Sequence, residues 1–185
     1  MKFKIFKTIT VDKKPSTEGI NISSYAQDML TKIKWNKKQK IDLVRVTVKE
    51  LGFDNWTTTE KLFARAKEMG LELCPPQVGL QLRVEYKDQP MDEWLYIGME
   101  PISDRYGTPS VFRLDRVGGG LWLNRDWAYP DSRWYPEDEL MFSLSKSSLK
   151  LKPLKSLTDT SDPLTLKHLD KKLDKISGIL EKHFS

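Results

Sequence analysis

The opening stretch KFKIFKTITV sets Phe3, Ile5, Ile9 and Val11 against Lys2, Lys4 and Thr8, with a slip in phase around Phe6 and Lys7. A period of two predicts a half-buried strand. In SSYAQDMLTKIKW the period lengthens. Tyr25, Met29, Leu30 and Ile33 fall at helical intervals, and Ser24 with Gln27 three residues on has the spacing of a capping box. KIDLVRVTV returns to a β-branched run with Val44, Val46 and Val48 on one side, the composition of a strand covered on both faces, and ends at Gly52. The clearest helix of the body is TTTEKLFARAKEMG. Here Thr57 caps toward Glu60, Leu62, Phe63, Ala66 and Met69 form a buried stripe, and Gly70 supplies a left-handed stop.

After ELCPPQVG, whose paired prolines predict an extended connection, the pattern reads as strands throughout: LQLRVEY, WLYIGME, SVFRLDR, GLWLN and ELMFSLS. Their close spacing predicts antiparallel neighbours joined by hairpins. One face takes Leu80, Leu82, Val84, Leu95, Ile97, Phe112 and Leu114, and the other takes Gln81, Arg83, Glu85, Tyr96, Glu100, Arg113 and Asp115. From Lys146 the chain turns to Lys, Ser, Thr and Leu without a clean period, read as a linker over 146–161. Asp162 and Pro163 then open a helix over 162–185 in which Leu166, Leu169, Leu173, Ile176 and Leu180 recur in coiled-coil steps, interrupted near its end by Gly178. That helix either docks on its own chain or carries association. The whole predicts an α+β domain over 1–145, a mainly antiparallel sheet packed with two helices, followed by a C-terminal amphipathic helix.

Composition changes this picture little. At 38% hydrophobic and 31% charged, the 185-residue chain is ordinary globular material with length for one core. Charge is segregated: residues 1–50 carry 12 Lys and Arg against 5 Asp and Glu, residues 51–145 carry 10 against 16, and residues 146–185 carry 9 against 5. Basic ends suit an acidic or polyanionic partner, and they equally suit solvated strands and a tail. The single cysteine, Cys74, forms no internal disulfide, and His168 and His183 leave no zinc set. No stretch has the apolar length of a signal peptide or membrane span, which places the protein in the cytoplasm as an expectation, with no membrane partner.

Candidate chemistry is thin. No phosphate loop, dinucleotide fingerprint, serine elbow or HExxH motif occurs, so no cofactor, metal or catalytic residue is assigned. Glu85, Glu100 and Asp115 with Arg83 and Arg113 have the makings of an acid–base or hard-cation cluster, as in a hydrolase, and equally of cross-strand ion pairs. Between Leu and Pro, Cys74 reads as a small buried hydrophobe rather than a nucleophile. The stretch GLWLNRDWAYPDSRWYPEDELMF mixes flat rings with donors and acceptors, which bind sugars, bases or proteins, or else fold a loop onto the sheet. Trp122, Trp127 and Trp134 are its contact candidates.

Around KELGF, FARAKEMGLELCPPQVGLQLRVEYKDQP and EWLYIGMEPISD, the chain resembles a group of small uncharacterised bacterial proteins. Their core reads ELGF, RA.E.GLELCP.EVG.QLRL.YKDQP and EWL.IAMEPI, matching roughly residues 41–124 and departing at Gln77, Leu80 and Gly98. The resemblance implies a soluble bacterial domain and brings no catalytic residue. The expectation is therefore a non-catalytic interaction module that binds a protein partner or itself through Trp122, Trp127, Trp134 and the apolar seam Leu166, Leu169, Leu173, Ile176 and Leu180. The alternative is a nucleic-acid-associated regulator using Lys2, Lys4, Lys37, Lys38 and Lys40.

Overall fold

Leu140, Met141 and Phe142 are fully buried, and the chain is organised around that burial. The computed structural model describes residues 3–35 and 37–144, all within one compact unit. In chain order come β1 (Lys7–Val11), β2 (Asn21–Ile22), α1 (Ser24–Thr31), β3 (Gln39–Thr47), β4 (Thr57–Thr58), α2 (Thr59–Glu68), β5 (Leu71–Glu72), α3 (Gln77–Glu85), β6 (Trp94–Ile97), β7 (Ile102–Ser103), β8 (Pro109–Val117), β9 (Gly120–Trp127), β10 (Arg133–Trp134) and β11 (Glu139–Leu144). Nine strands make one half-barrel sheet in the order β1-β3-β11-β6-β8-β9-β2, with β5 beside β11 and β7 beside β8, while β10 pairs with β4. Pairing is antiparallel except for β11 with β6 and β2 with β9. Strand β11 lies between β3 and β6, which is why its sequence is apolar on successive residues rather than alternating.

These observations correct the α+β reading. The domain is mostly β with three short helices, and the predicted linker and the C-terminal seam of Leu166, Leu169, Leu173, Ile176 and Leu180 lie outside the described residues. The largest local correction is LQLRVEY, which is not a strand but most of α3. That helix touches β1, β8 and β9, so it packs into the hollow of the curled sheet and buries Val78, Gly79, Leu80, Leu82 and Arg83, while Gln77, Gln81, Val84 and Glu85 stay partly exposed. Its buried side includes Arg83, so the polar positions do not mark the exposed face alone. Pro75 and Pro76, expected to hold an extended link, instead form the first turn of α3, where a missing N–H is harmless, and Val78 N donates to Pro75 O at 3.0 Å. Gly79 lets α3 lie directly on β8, since a Cβ there would meet the Phe112 ring at 2.4 Å.

Other elements form as their sequences direct, with caps moved by one residue. Ser23 caps α1 by accepting from Ala26 N, and Thr58 caps α2 by accepting from Lys61 N. Leu62, Phe63 and Ala66 are the buried stripe of α2, and Gly70 ends it at φ +85°. Within α3, Arg83 is fully buried and donates to Gln89 Oε1, Tyr86 O and, at 3.4 Å, Asp115 O. Burial lowers its pKa to about 10. Gln89 in turn donates to Leu114 O at 3.0 Å and Glu93 O at 3.1 Å, so the YKDQP turn is fastened to β8 and delivers the chain into β6 at a set height.

Gly98 has a packing reason: a Cβ there would meet Phe142 Cε1 at 2.4 Å. Gly98→Ala is expected to cost about 1–3 kcal/mol by overpacking. Chemical denaturation checks this, and a Gly98→Ala/Phe142→Leu double variant should recover part of the loss, because the two side chains compete for one space.

Candidate functional site

The register of β6, β8 and β9 assembles polar side chains that are far apart in sequence. Trp94 lies opposite Asp115, Tyr96 opposite Arg113, and Arg113 opposite Asn124. Arg113 donates from Nε to Asp115 Oδ1 at 2.8 Å, from Nη2 to Asp115 Oδ2 at 3.1 Å and from Nη1 to Asp126 Oδ2 at 2.6 Å. Its guanidinium also stacks on Trp94, 4.1 Å from the ring centroid. Burial works against the Arg113 charge, but the bonds to Asp115 and the charges of Asp115 and Asp126 outweigh it and raise its pKa.

Beside this bracket the pairing of β10 with β4 places Trp134 under the surface. Trp134 meets Tyr96 edge to face at 4.9 Å and donates from Nε1 to Thr59 Oγ1 at 2.9 Å. The result is a cleft of about 250 Å3 lined by Trp94, Tyr96, Asp126, Trp127, Arg133, Trp134, Tyr135 and Asp138. Its floor, Tyr96 and Trp134, is buried, while Trp94, Trp127 and Tyr135 are each more than half exposed at its rim. Arg133 stacks on Trp56 at 4.3 Å.

The acids of the cleft differ in their surroundings. Asp126 is paired with Arg113, whereas Asp138 accepts from Tyr135 N at 2.7 Å and, among the described residues, has no Lys or Arg nitrogen within ion-pair distance. Burial raises the Asp138 pKa, the Tyr135 bond opposes that, and the charges of Asp126 and Glu137 add to it. Burial and the same two carboxylates, Asp138 ahead of Asp126, push the Tyr96 hydroxyl up to about 12. The cleft is therefore aromatic, partly shielded from water and negatively biased.

The residues singled out from sequence scatter across this arrangement. Trp127 is at the rim, Trp134 is core, and Trp122 is half-buried on β9 outside the cleft. Glu85 sits at the end of α3 and pairs with Lys7 at 3.8 Å, Glu100 is exposed after β6, and Asp115 is held by Arg113 and Asn124, so these three carboxylates have separate settings. Among the described residues no group of three or more His, Cys, Asp or Glu is placed to hold a metal ion. Cys74 is buried, its thiol donates to Met141 O at 3.4 Å, and burial pushes its pKa up.

Of the basic candidates, Lys2 lies outside the described residues. Lys4 precedes β1 beside Phe6 and Arg45, whereas Lys37, Lys38 and Lys40 gather where Thr10 faces Lys40. At about 3.3 Å per strand residue, Lys4 is roughly 20 Å from Lys40 along the ladder. Of the cleft residues not singled out from sequence, Trp94 joins the others only through the pairing of β6 with β8, while Tyr135 and Asp138 lie within the aromatic stretch without standing out from it by composition. Among the described residues no helix is long and apolar enough to cross a membrane.

Compared with protein-family models, curated proteins and solved structures, the chain matches none.

Asp138→Asn keeps an acceptor for Tyr135 N and removes a carboxylate that the cleft disfavours. It is expected to raise Tm by about 2 °C at neutral pH, the size of a sub-kcal/mol gain in a domain of this length. Because the folded pKa of Asp138 is raised, the gain is full above that pKa and vanishes as pH falls below the ordinary aspartate value, where both folded and unfolded wild type are protonated. Melting curves across that window check it.

Proposed function

We propose that this domain is a non-catalytic interaction module that takes a protein partner through the tryptophan cleft. The carrying observation is the rim: Trp94 at 51%, Trp127 at 59% and Tyr135 at 54% exposure surround a floor that is already packed. Large rings held half out of water around a formed hollow are the usual anchors of a recognition surface. Here two of them are held in place rather than left loose. The Arg113 guanidinium lies on Trp94 and that of Arg125 over Trp127, so these two rings have less side-chain freedom to lose on binding, and the backbone of Tyr135 is fixed by the bond from its N to Asp138.

An open acid cluster supports this reading less than the rings do, since Asp126 is already neutralised by Arg113. Lys4 and the group Lys37, Lys38 and Lys40 stand at opposite ends of the β1–β3 ladder, so the basic candidates do not form one cluster.

The test is affinity capture with the full chain and with a Trp94→Ala/Trp127→Ala variant, followed by pairwise binding with each purified protein that the variant loses. Two anchor rings predict more than about 30-fold weaker binding by the variant, with its melting temperature nearly unchanged. Equal binding by both forms would remove the cleft from recognition. Sedimentation equilibrium of the same two forms shows whether the partner is a second copy of the chain.

A further inference from the structure

A purely apolar dock would have no use for two features of this cleft. The first is its charge. Asp126 and Asp138 line the cleft with Glu137 close by, and of the nearby guanidinium groups Arg113 is committed to Asp115 and Asp126, Arg125 pairs with Asp104, and Arg133, in the lining, stacks on Trp56. Asp138, half-buried in the wall, has no Lys or Arg nitrogen within ion-pair distance among the described residues. The second is the behaviour of the domain's own rings. Guanidinium groups lie over Trp94 at 4.1 Å, over Trp56 at 4.3 Å, and over Tyr25 and Trp127 at 4.6 and 5.7 Å, the latter two both from Arg125. These surface rings already take cations on their faces.

We infer that the cleft recognises an organic cation, an alkylammonium or guanidinium group, held among the rings of Trp94, Trp127 and Tyr135 and paired with Asp138. This deepens the partner-binding reading and rests on it for the source of the group, a basic side chain. A cation here gains the attraction of the ring faces and a carboxylate partner in one hollow, and partial exclusion of water strengthens both. Size agrees. About 250 Å3 is below the roughly 300–1,000 Å3 of pockets for drug-sized ligands and suits one head group or side-chain end. A neutral sugar would stack on the same rings but leave the negative bias uncompensated.

The test follows the indole N–H resonances of the full chain by NMR at constant ionic strength. The probes are choline, its neutral isostere 3,3-dimethylbutan-1-ol, Nα-acetyl-arginine amide, Nα-acetyl-lysine amide and methyl β-glucoside. Saturable shifts of the Trp94 and Trp127 resonances are expected with at least one cation, at least tenfold weaker with the isostere, and at least tenfold weaker in Asp138→Asn, a variant expected to fold at least as well as wild type. Tighter binding of the capped arginine or lysine assigns the site to an unmodified basic side chain, and tighter binding of choline assigns it to a free or side-chain quaternary ammonium. Equal binding of choline and its isostere, binding of the glucoside alone, or no shift with any probe would overturn the inference. Cation failure with capture still lost in the Trp94→Ala/Trp127→Ala variant would leave the partner reading standing. Cation binding with capture unaffected would do the reverse.

Discussion

One guanidinium sets the geometry of the cleft. Arg113, on the central strand of the β6-β8-β9 trio, joins a carboxylate of its own strand to one on the next and carries an indole of the third on its face. Asp115 is 3% exposed, so its charge is tolerable only because it receives the bidentate pair and a further bond from Asn124. The same pair uses up the positive charge that would otherwise neutralise the hollow. Among the described residues Asp138 has no ion-pair partner, and Arg113 is bound to Asp115 and Asp126.

That arrangement depends on how the sheet is curled. Helix α3 packs inside the half-barrel through Gly79 on Phe112, and its Arg83 ties the following turn to β8 through Gln89. Strand β6 therefore begins at a fixed place, with Trp94 outward and Leu95 in the core. On the other side β10 borrows β4 as a partner, and the indole N–H of Trp134 ends on the first residue of α2. Core packing thus fixes the floor of the cleft from two directions, while the rim rings remain half in solvent. A carboxylate with a raised pKa within such a frame costs the domain a little stability at neutral pH.

Local signals made much of this legible. Period and capping located α1, α2, β1, β3 and β9, and alternation set Tyr96, Arg113 and Asp115 on one polar side, where the register of β6 and β8 indeed places them. The helix α3 was illegible for a physical reason. Leu80, Leu82 and Val84 alternate with Gln81, Arg83 and Glu85, yet Arg83 is buried, so polarity did not report exposure. The cleft was half legible. Trp127 stood out by composition, but Trp94 joins it only through strand order, Asp138 is one of several acids in the same stretch, and Trp134, equally conspicuous in sequence, is core because Thr59 and Tyr96 take its two ends.

Asp138 stands in a partly dry aromatic hollow with, among the described residues, no Lys or Arg nitrogen within ion-pair distance. Carboxyl 13C NMR of Asp138 in the full chain, followed through acid titration, measures that directly. The account predicts a midpoint above the ordinary aspartate value. A midpoint at or below that value would mean that a positive group of the chain already occupies the hollow, and the account would be wrong.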